Sequence, residues 1–281
     1  MKFREARARA RDELAFAGIQ SPGLEGDILV SWAAGTSSSF LLAHPELPLP
    51  GGAAERLMEA LQRRTGHEPL QYILGTWDFF GRSLIVRPGV LIPRADTELL
   101  VEKALERLSL VPGTFLDWGT GTGCIALSLL AELPGAEGIA ADASALAVDT
   151  AWRNLKHWGV LGRCLLWHSR MPRDIPAADG SLSLLVSNPP YIPDGRIPFL
   201  MEEVRREPLS ALAGGEDGLK WYRMLLEWAP AKLRPGGWVL FETGDGAQAE
   251  ALAGMAPPCL ELEGIFRDLG DIPRAVSWRR V

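Results

Sequence analysis

The chain has 281 residues, of which 47% are hydrophobic and 23% are charged, so it can bury a full core in one large or two modest domains. Its formal net charge is -6. This acidic balance offers no broad attraction to a phosphate backbone, which argues against nucleic acid as a direct partner.

The basic N-terminal stretch does not continue into an export signal. MKFREARARAR is followed by DELAFAGIQSPGLEGD, which has no continuous apolar segment, and no other window approaches a membrane span. The three cysteines, Cys124, Cys164 and Cys259, lack CxxC spacing and fit neither a disulfide framework nor a zinc site. We therefore expect a cytoplasmic protein with no metal site and no membrane partner.

The hydrophobic pattern changes twice along the chain. In residues 1–75, segments such as AAERLMEALQRR are helical and are separated by Pro and Gly breaks, which predicts a small helical domain. In residues 76–95, aromatic and β-branched residues alternate around FGR, which predicts a β-hairpin linker. In residues 96–281, strand and helix patterns alternate, which indicates a parallel sheet covered on both faces.

Seven strands are predicted in this last part. Their sequences are GTFLDWG from Gly113, AEGIAAD ending at Asp142, RCLLWH ending at His168, LSLLVS ending at Ser187, GWVLFETG from Gly237, ELEGIFRD from Glu261 and the C-terminal AVSWRRV. The last two are joined only by LGDIPR, a connection that suits an antiparallel pair. The sequence therefore predicts an α/β fold with a mostly parallel, doubly wound sheet, in which the first and fourth strands are neighbours.

A glycine-rich turn follows the first of these strands, in LDWGTGTGCIALSLL. Its residues are Gly119, Thr120, Gly121, Thr122 and Gly123. Glycines let the backbone approach a ligand closely, and the N-terminus of the following helix offers unpaired N–H groups. The second strand ends nineteen residues later at Asp142, where an acid accepts both hydrogen bonds of a ribose diol. Together these features indicate a nucleoside cofactor.

The spacing of the glycines narrows the choice of cofactor. The third glycine comes one position earlier than in the GxGxxG dinucleotide fingerprint, and Cys124 stands where that fingerprint has glycine. GxGxG followed by an acid at the next strand end resembles the S-adenosylmethionine site of class I methyltransferases. The chain has no GxxxxGK[ST] segment, which disfavours a nucleoside triphosphate.

The fourth predicted strand runs directly into SNPPYIP. Here Asn188 is expected to face the glycine turn, because ligands bind outside the carboxyl ends of such strands, and Pro189, Pro190 and Tyr191 follow it in the chain. The Asn188 amide and the Pro189 carbonyl can accept hydrogen bonds from an incoming NH₂ group, and Tyr191 offers a flat wall for a planar group. Two acceptors on one nitrogen orient it toward a methyl donor, so catalysis needs no strong base.

These segments resemble the protein-(glutamine-N5) methyltransferases that modify class 1 peptide chain release factors. The likeness covers about residues 60 to 281 and rests on GHEPLQYILGTWDFFG, LIPRADTELLVEKAL, DWGTGTGCIA, NPPYI, EVRREPLSALAGGEDGLKWYR and RDLGDIPRAV. The resemblance implies a class I, Rossmann-like methyltransferase domain that uses S-adenosylmethionine and acts on the glutamine of a Gly-Gly-Gln segment. It also implies that the helical domain helps to hold the release factor.

The resemblance implies specific roles for the residues quoted above. It places the cofactor on Gly119 to Gly123, Asp142 and Asn188, and the glutamine side chain on Asn188 to Tyr191. One departure concerns the adenine, since the family usually ends its third strand with Gly-Asp and an aromatic or apolar residue. This chain has His168, Ser169 and Arg170 there, so Arg170 is the residue expected beside the adenine.

Two other functions are compatible with parts of the sequence. NPPY also occurs in DNA and RNA amino methyltransferases, although the acidic balance and the lack of a basic recognition region oppose that function. A non-catalytic module that binds cofactor and uses the helical domain as an adaptor is the second.

Arg94 and Glu98, in IPRADTE, are expected either to cap the next helix or to support the site, with the structural role favoured.

Overall fold

The computed structural model describes residues 1–281. Its helices are α1 Phe3–Phe16, α2 Pro22–Ala34, α3 Ser38–Ala43, α4 Ala53–Thr65, α5 Leu70–Leu74, α6 Thr97–Leu110, α7 Cys124–Glu132, α8 Ala145–His157, α9 Glu202–Arg205, α10 Lys220–Lys232 and α11 Gly246–Ala253. Its strands are β1 Thr76–Phe79, β2 Arg82–Ile85, β3 Thr114–Trp118, β4 Glu137–Asp142, β5 Cys164–His168, β6 Leu182–Ser187, β7 Leu233–Glu242, β8 Leu260–Arg267 and β9 Pro273–Arg280. None of the helices is both long enough and apolar enough to cross a lipid bilayer.

The chain divides into two compact units. The first comprises residues 1–76 and 201–206, and the second comprises residues 77–200 and 207–281. In the first unit, one apolar core takes a buried side chain from each of the helices α1 to α5, namely Leu14, Leu29, Leu41, Leu57 and Ile73. The short helices α3 (SSFLLA) and α5 (LQYIL) are too short to show a helical pattern in the sequence.

Arg64 ties residues 201–206 to this helical unit. Its side chain is only 2% exposed, and its guanidinium lies 2.5 Å from a Glu25 carboxylate oxygen and 2.6 Å from one of Glu203. A buried cation is tolerated only where carboxylates compensate its lost hydration, so both acids are required around it. The local sequence around Glu203 gives no sign of this pairing, because its partner lies 139 residues away.

The second unit contains a seven-stranded sheet in the order β5-β4-β3-β6-β7-β9-β8. The strands β3 to β7 pair in parallel, whereas β9 runs antiparallel to both β7 and β8. The predicted fold class, the adjacency of the first and fourth strands and the antiparallel final pair are therefore confirmed. β7 starts at Leu233, ahead of the predicted Gly237, because Leu233 pairs with Leu182 across a register shift.

Alternating side chains of the central strands explain why both faces of the sheet are covered. Phe115 and Leu184 belong to the apolar core on one face, and Leu116 and Leu185 belong to the core on the other. All six residues of β6 are buried, which is the pattern of an inner parallel strand. At the junction of β3 and β6 the strand order reverses, and a crevice opens there at the carboxyl ends of the strands.

The hairpin β1-β2 is held on the same unit by Asn154 of α8. The Asn154 side chain accepts a hydrogen bond from the Ile85 N–H at 2.7 Å and donates one to the Ile85 carbonyl at 3.1 Å. At the hairpin turn, the Phe80 N–H donates to the Glu98 carboxylate at 2.8 Å. Glu98 therefore has a structural contact, and the hairpin leads the chain into the segment 89–94 that borders the crevice.

Candidate active site

A cavity of about 580 Å³ occupies the crevice at the ends of β3, β4 and β6. Of the residues predicted for the site, those that line it are Gly119, Thr120, Gly121, Thr122, Asp142, Arg170, Asn188 and Pro190. Gly123, Pro189 and Tyr191 do not line it. The structure thus places both predicted halves of the site, the glycine turn and the Asn-Pro-Pro-Tyr elbow, on one cavity.

The three glycines of the turn all have positive φ, but they have different roles in the structure. Gly119 and Gly121, at φ 76° and 57°, have no atom closer than 3.9 Å to the position of a Cβ, so their backbone is open to a ligand. At Gly123, φ is 81° and a Cβ would lie 3.0 Å from the Ala151 Cβ. Gly123 therefore permits the close packing of α7 on α8.

Asp117, at the end of β3, braces the glycine turn from beneath. Its carboxylate accepts hydrogen bonds from the Thr120 hydroxyl at 2.6 Å and from the Ala126 N–H at 3.2 Å. Full burial raises the pKa of Asp117 to about 7, and these hydrogen bonds act in the opposite direction. This carboxyl group supports the turn and does not line the cavity, a role that the sequence pattern did not distinguish.

Asp142, at the end of β4, presents its carboxylate to the cavity. One oxygen accepts the Gly121 N–H at 2.9 Å, and the other accepts the Ser144 N–H at 2.8 Å. Burial raises the pKa of Asp142, while these backbone donors stabilise the ionised form. Each oxygen keeps acceptor capacity beyond its one backbone bond, which is the arrangement that a vicinal diol requires.

The segment after β5 differs from the pattern of the family. The Ser169 hydroxyl donates to the Met171 carbonyl at 2.9 Å and also accepts the Met171 N–H at 3.2 Å, so it closes its own turn. Ser169 is nearly buried and does not line the cavity. Arg170 is exposed and does line it, so a basic residue borders the cavity where the family usually has an aromatic or apolar residue.

Asn188, directly after β6, has one end of its side-chain amide fixed. Its Nδ2 atom donates a hydrogen bond to the Thr97 hydroxyl at the start of α6, over 3.2 Å. The Oδ1 atom lies at the opposite end of the same planar amide. The side chain can therefore offer an acceptor to the cavity, which is the property that the sequence analysis ascribed to it.

Tyr191 lies behind the cavity. Its ring packs against Gly244, where an added Cβ would come within 3.0 Å of two ring atoms. Burial raises the pKa of Tyr191 to about 12, and the nearby Glu242 acts in the same direction. In this structure the ring anchors the elbow and is not part of the cavity wall.

The glycine-rich segment ALAGGEDGL clamps the elbow. The Ile192 N–H donates to the Leu212 carbonyl at 3.0 Å, and the Gly214 N–H donates back to the Ile192 carbonyl at 2.8 Å. The Gln248 amide donates to the carbonyls of Tyr191 and Gly218 at 3.1 and 3.2 Å. This segment appears in the sequence as a motif without an evident role, and the structure assigns it the support of the elbow.

Gly218 offers a test of this clamp. Its φ is +77°, and an added Cβ would overlap the Tyr191 carbonyl oxygen. We expect Gly218→Ala to lower the free energy of unfolding by about 2–4 kcal/mol, because strain and overlap add. The control is Gly180→Ala, where φ is +68° and no atom lies within 4 Å of the new Cβ, with a cost of about 1 kcal/mol. Equal losses in denaturant titrations of the two variants would show that the overlap at Tyr191 is harmless.

Glu242, the last residue of β7, is a buried carboxyl group beside the elbow. Burial raises its pKa to about 7, although a hydrogen bond with the Thr97 side chain acts against this. One of its oxygens, Oε2, has no hydrogen-bond partner, and the Tyr222 hydroxyl donates to its main-chain carbonyl at 2.6 Å. Near neutral pH this group is therefore only partly ionised, and its ionised form is buried at a cost in stability.

We expect Glu242→Gln to stabilise the protein in a pH-dependent way. The folded-state pKa is raised from 4.5 to about 7, so the wild type loses stability as the pH rises through this interval. The variant has no such loss, and its advantage in unfolding free energy should grow from pH 5 to pH 8.5, to at most about 3 kcal/mol. Denaturant unfolding at both pH values measures it, with Glu250→Gln on the exposed face of α11 as the control. An advantage independent of pH would contradict this expectation.

Two arginines, Arg94 and Arg274, form ion pairs with carboxylates of the second unit. Arg94, which lines the cavity, pairs with the buried Glu207, whose second oxygen accepts the Ile92 N–H at 3.0 Å. Arg274 pairs with Asp96 and with Asp268, each at 2.9 Å. Arg94 thus holds the segment 89–94 in place through Glu207, in agreement with the structural role favoured for it.

A doubly wound parallel sheet, a glycine turn after β3, a carboxylate after β4 and an Asn-Pro-Pro-Tyr elbow after β6 together define a class I methyltransferase. Sequence comparison agrees in both units: the PrmC N-terminal domain family matches residues 5–75, and the Methyltransferase small domain family matches residues 94–215. The chain belongs to the release factor glutamine methyltransferase family, because relatives of that name share 42% identity with it over most of its length. The resemblance drawn from the sequence motifs is therefore confirmed.

Three relatives illustrate this membership, and each is named release factor glutamine methyltransferase. The protein of Moorella thermoacetica is 42% identical, with 91% of this chain and 90% of the relative aligned. That of Geobacter sulfurreducens is 42% identical over 87% and 84%, and that of Cereibacter sphaeroides is 39% identical over 99% of both chains. The chain is an enzyme of this methyltransferase family.

Solved structures show the same fold at much lower identity. The hMettl16 catalytic domain has a TM-score of 0.56 and 15% identity, over 80% of this chain and 81% of its own. A methyltransferase from Pyrococcus furiosus has a TM-score of 0.52 and 16% identity, over 80% of this chain and 96% of its own. These similarities support the Rossmann-like methyltransferase fold.

Proposed function

We propose that this enzyme transfers a methyl group from S-adenosylmethionine to the side-chain amide nitrogen, N5, of the glutamine in the Gly-Gly-Gln motif of class 1 peptide chain release factors. The observation that carries the proposal is the position of Asn188. It lines the same cavity as the glycine turn and Asp142, and its amide nitrogen is already engaged by Thr97. The names of the relatives support the choice of substrate.

The residues of the cavity fit S-adenosylmethionine. The open backbone at Gly119 and Gly121 leaves room for a ligand, and Asp142 would hold the ribose diol on its two carboxylate oxygens. Arg170 would lie against the adenine, whose face can interact with a guanidinium. When bound, the cofactor supplies an electrophilic methyl group beside the elbow.

The elbow supplies orientation to the second substrate. The Asn188 Oδ1 atom would accept a hydrogen bond from the carboxamide NH₂ group in the cavity. The Pro189 carbonyl would accept a second one if the substrate reaches past the cavity wall, since Pro189 does not line the cavity itself. The carboxamide nitrogen is a poor nucleophile because its lone pair is delocalised, and two acceptors favour a pyramidal nitrogen whose lone pair points toward the methyl group. Methyl transfer would break the S–CH₃ bond, with its electron pair left on sulfur, and the nitrogen would release one proton to solvent by way of a hydrogen-bonded acceptor. Because the proline rings fix φ, the acceptors stay in place without reorganising, which is the condition for electrostatic catalysis.

The small glycine residues beside the target suit a narrow cavity of about 580 Å³. A larger side chain next to the glutamine would have to enter the same opening. We further propose that the helical unit contributes to holding the release factor, and that the enzyme acts in the cytoplasm, where release factors function.

Mass spectrometry tests the function directly. The purified chain is incubated with S-adenosylmethionine and an intact class 1 release factor, and the tryptic peptide with the Gly-Gly-Gln motif is analysed. A gain of one methyl group on the glutamine is the expected result. Parallel reactions contain labelled cofactor with duplex DNA or RNA, and label on nucleic acid with none on the release factor would overturn the proposal in favour of an amino methyltransferase of nucleic acids.

A further inference from the structure

The Thr97 hydroxyl lies between the elbow and a buried acid. Thr97 is 2% exposed and accepts a hydrogen bond from Asn188 Nδ2 at 3.2 Å, and its side chain neighbours the Glu242 carboxyl group, whose ionised form it can stabilise by hydrogen bonding. These three side chains come from α6, from the segment after β6 and from the end of β7. The two strands are neighbours in the sheet, so the arrangement is built into its framework.

The direction of these hydrogen bonds follows from elementary chemistry. An ionised carboxylate has no proton to donate, so Thr97 must direct its single hydroxyl proton to Glu242. Toward Asn188 it then offers only lone pairs, which can pair with an NH₂ group but not with a carbonyl oxygen. A protonated Glu242 would remove this restriction, because Thr97 could then accept its proton and donate to the Asn188 oxygen.

We propose that Thr97 and Glu242 are positioning residues that determine which end of the Asn188 amide faces the cavity. The inference rests on the proposed function, since an acceptor is needed there only for an incoming NH₂ group. With Glu242 ionised, the NH₂ end of Asn188 is held at Thr97 and the oxygen is directed to the substrate. In the opposite orientation the Asn188 NH₂ group would face the NH₂ group of the substrate, and two hydrogen-bond donors would repel each other.

The surroundings of Glu242 agree with a functional reason for a buried carboxylate. No ion pair joins Glu242 to a cation, and the two arginines that act on it electrostatically, Arg94 and Arg274, are paired with other acids. The other titratable groups that act on or are acted on by Glu242 are Asp96, Tyr191, Tyr222 and Cys124. A glutamine would fill the same space without the cost of a buried charge, but it can both donate and accept and would not impose one orientation.

Kinetics of three variants test the inference on the release factor. For Thr97→Val we expect kcat to fall by about 30-fold and KM for the release factor to change less than about 3-fold, because the substrate still binds but meets a misoriented amide. Thr97→Ser restores the hydroxyl and should recover kcat to within about 3-fold of the wild type. Glu242→Gln should lower kcat by about 10-fold while the folded protein becomes more stable.

Thr243→Val is the matched control. Thr243 is fully buried and next to Glu242 in the chain, but its hydroxyl is directed to the Pro273 carbonyl at 3.4 Å. It should keep kcat within about 2-fold. A wild-type kcat for Thr97→Val, or equal losses for Thr97→Val and Thr97→Ser, would overturn the inference. Absence of methylation by the wild type would instead contradict the proposed function.

A measurement without substrate distinguishes failure of this inference from failure of the proposed function. The side-chain NH₂ resonances of Asn188 are identified in ¹H–¹⁵N spectra by their loss in Asn188→Ala. In the wild type they should shift as Glu242 titrates near neutral pH, and this shift should vanish in both Thr97→Val and Glu242→Gln. Resonances that titrate equally in all three proteins would show that Thr97 does not link Glu242 to Asn188, whatever the enzyme methylates.

Discussion

Asn188→Ala is expected to reduce kcat by at least about 10³-fold while the affinity for S-adenosylhomocysteine changes less than about 3-fold. The variant removes the acceptor proposed to orient the carboxamide, and no other side chain of the elbow replaces it. The cofactor should be retained because Gly121, Asp142 and Ser144 keep their mutual hydrogen bonds. Steady-state methylation of the release factor gives kcat, and calorimetric titration gives the affinity.

Asn188→Asp is the informative companion to this variant. It keeps the size of the side chain and one oxygen acceptor, but it replaces the NH₂ group that donates to Thr97 with a second oxygen. The Thr97 hydroxyl could donate to this oxygen only by giving up its hydrogen bond to Glu242. We therefore expect activity well below the wild type. An Asn188→Ala protein with unchanged turnover would indicate that methyl transfer does not use this elbow. If methylation were absent in the wild type and the cofactor still bound, the adaptor hypothesis would gain support.

The parts of the fold that follow from local sequence were predicted well. β6 reads as LSLLVS, an apolar run too short for a helix, and the structure buries all six of its residues. The glycine turn and Asp142 are also local signals, since each stands at the end of a recognisable strand. Once the strands alternate with helices, the handedness rule for parallel crossovers leaves few arrangements, and all of them place these ends at one edge.

The parts that depend on distant pairing were not predictable. Glu203 lies in the helical unit, where its carboxylate pairs with Arg64, 139 residues away in the chain. The role of Thr97 is not predictable from the sequence either, because its partner Asn188 is 91 residues away in the chain. Locally, a threonine at the start of a helix is a common residue with no special meaning. The signal that could have found it is its neighbourhood in IPRADTE, a segment that the family resemblance marked without assigning this side chain.

Tyr191 illustrates a different limit. An aromatic residue after two prolines was interpreted as a wall for the substrate, whereas its ring lies against Gly244 behind the cavity. Sequence alone does not tell which side of an extended segment faces a ligand when prolines interrupt the alternation of a strand. The glycines at 214, 218 and 244 are the missing signal, because they leave room for this residue on the protected side.

Asp142 is the residue whose loss should affect cofactor binding most. We expect Asp142→Ala to weaken binding of S-adenosylhomocysteine by at least about 100-fold, since hydrogen bonds to a charged group contribute about 1.5–3 kcal/mol each. Two such bonds to the ribose would be lost. The Gly121 and Ser144 N–H groups would also lose their acceptor, so the glycine turn would be held less firmly.

Two further variants distinguish the charge from the shape of this side chain. Asp142→Asn keeps the size but directs an NH₂ group at either the Gly121 or the Ser144 N–H, so one donor must face another; binding should be nearly as weak as in the alanine variant. Glu137→Gln, at the exposed start of the same strand, removes a carboxylate without touching the cavity and should leave the affinity unchanged. Titration calorimetry on all three proteins separates these cases. Tight binding by Asp142→Ala would mean that the cofactor does not use the end of β4, and the nucleoside would then have to lie elsewhere in the cavity, nearer Arg170.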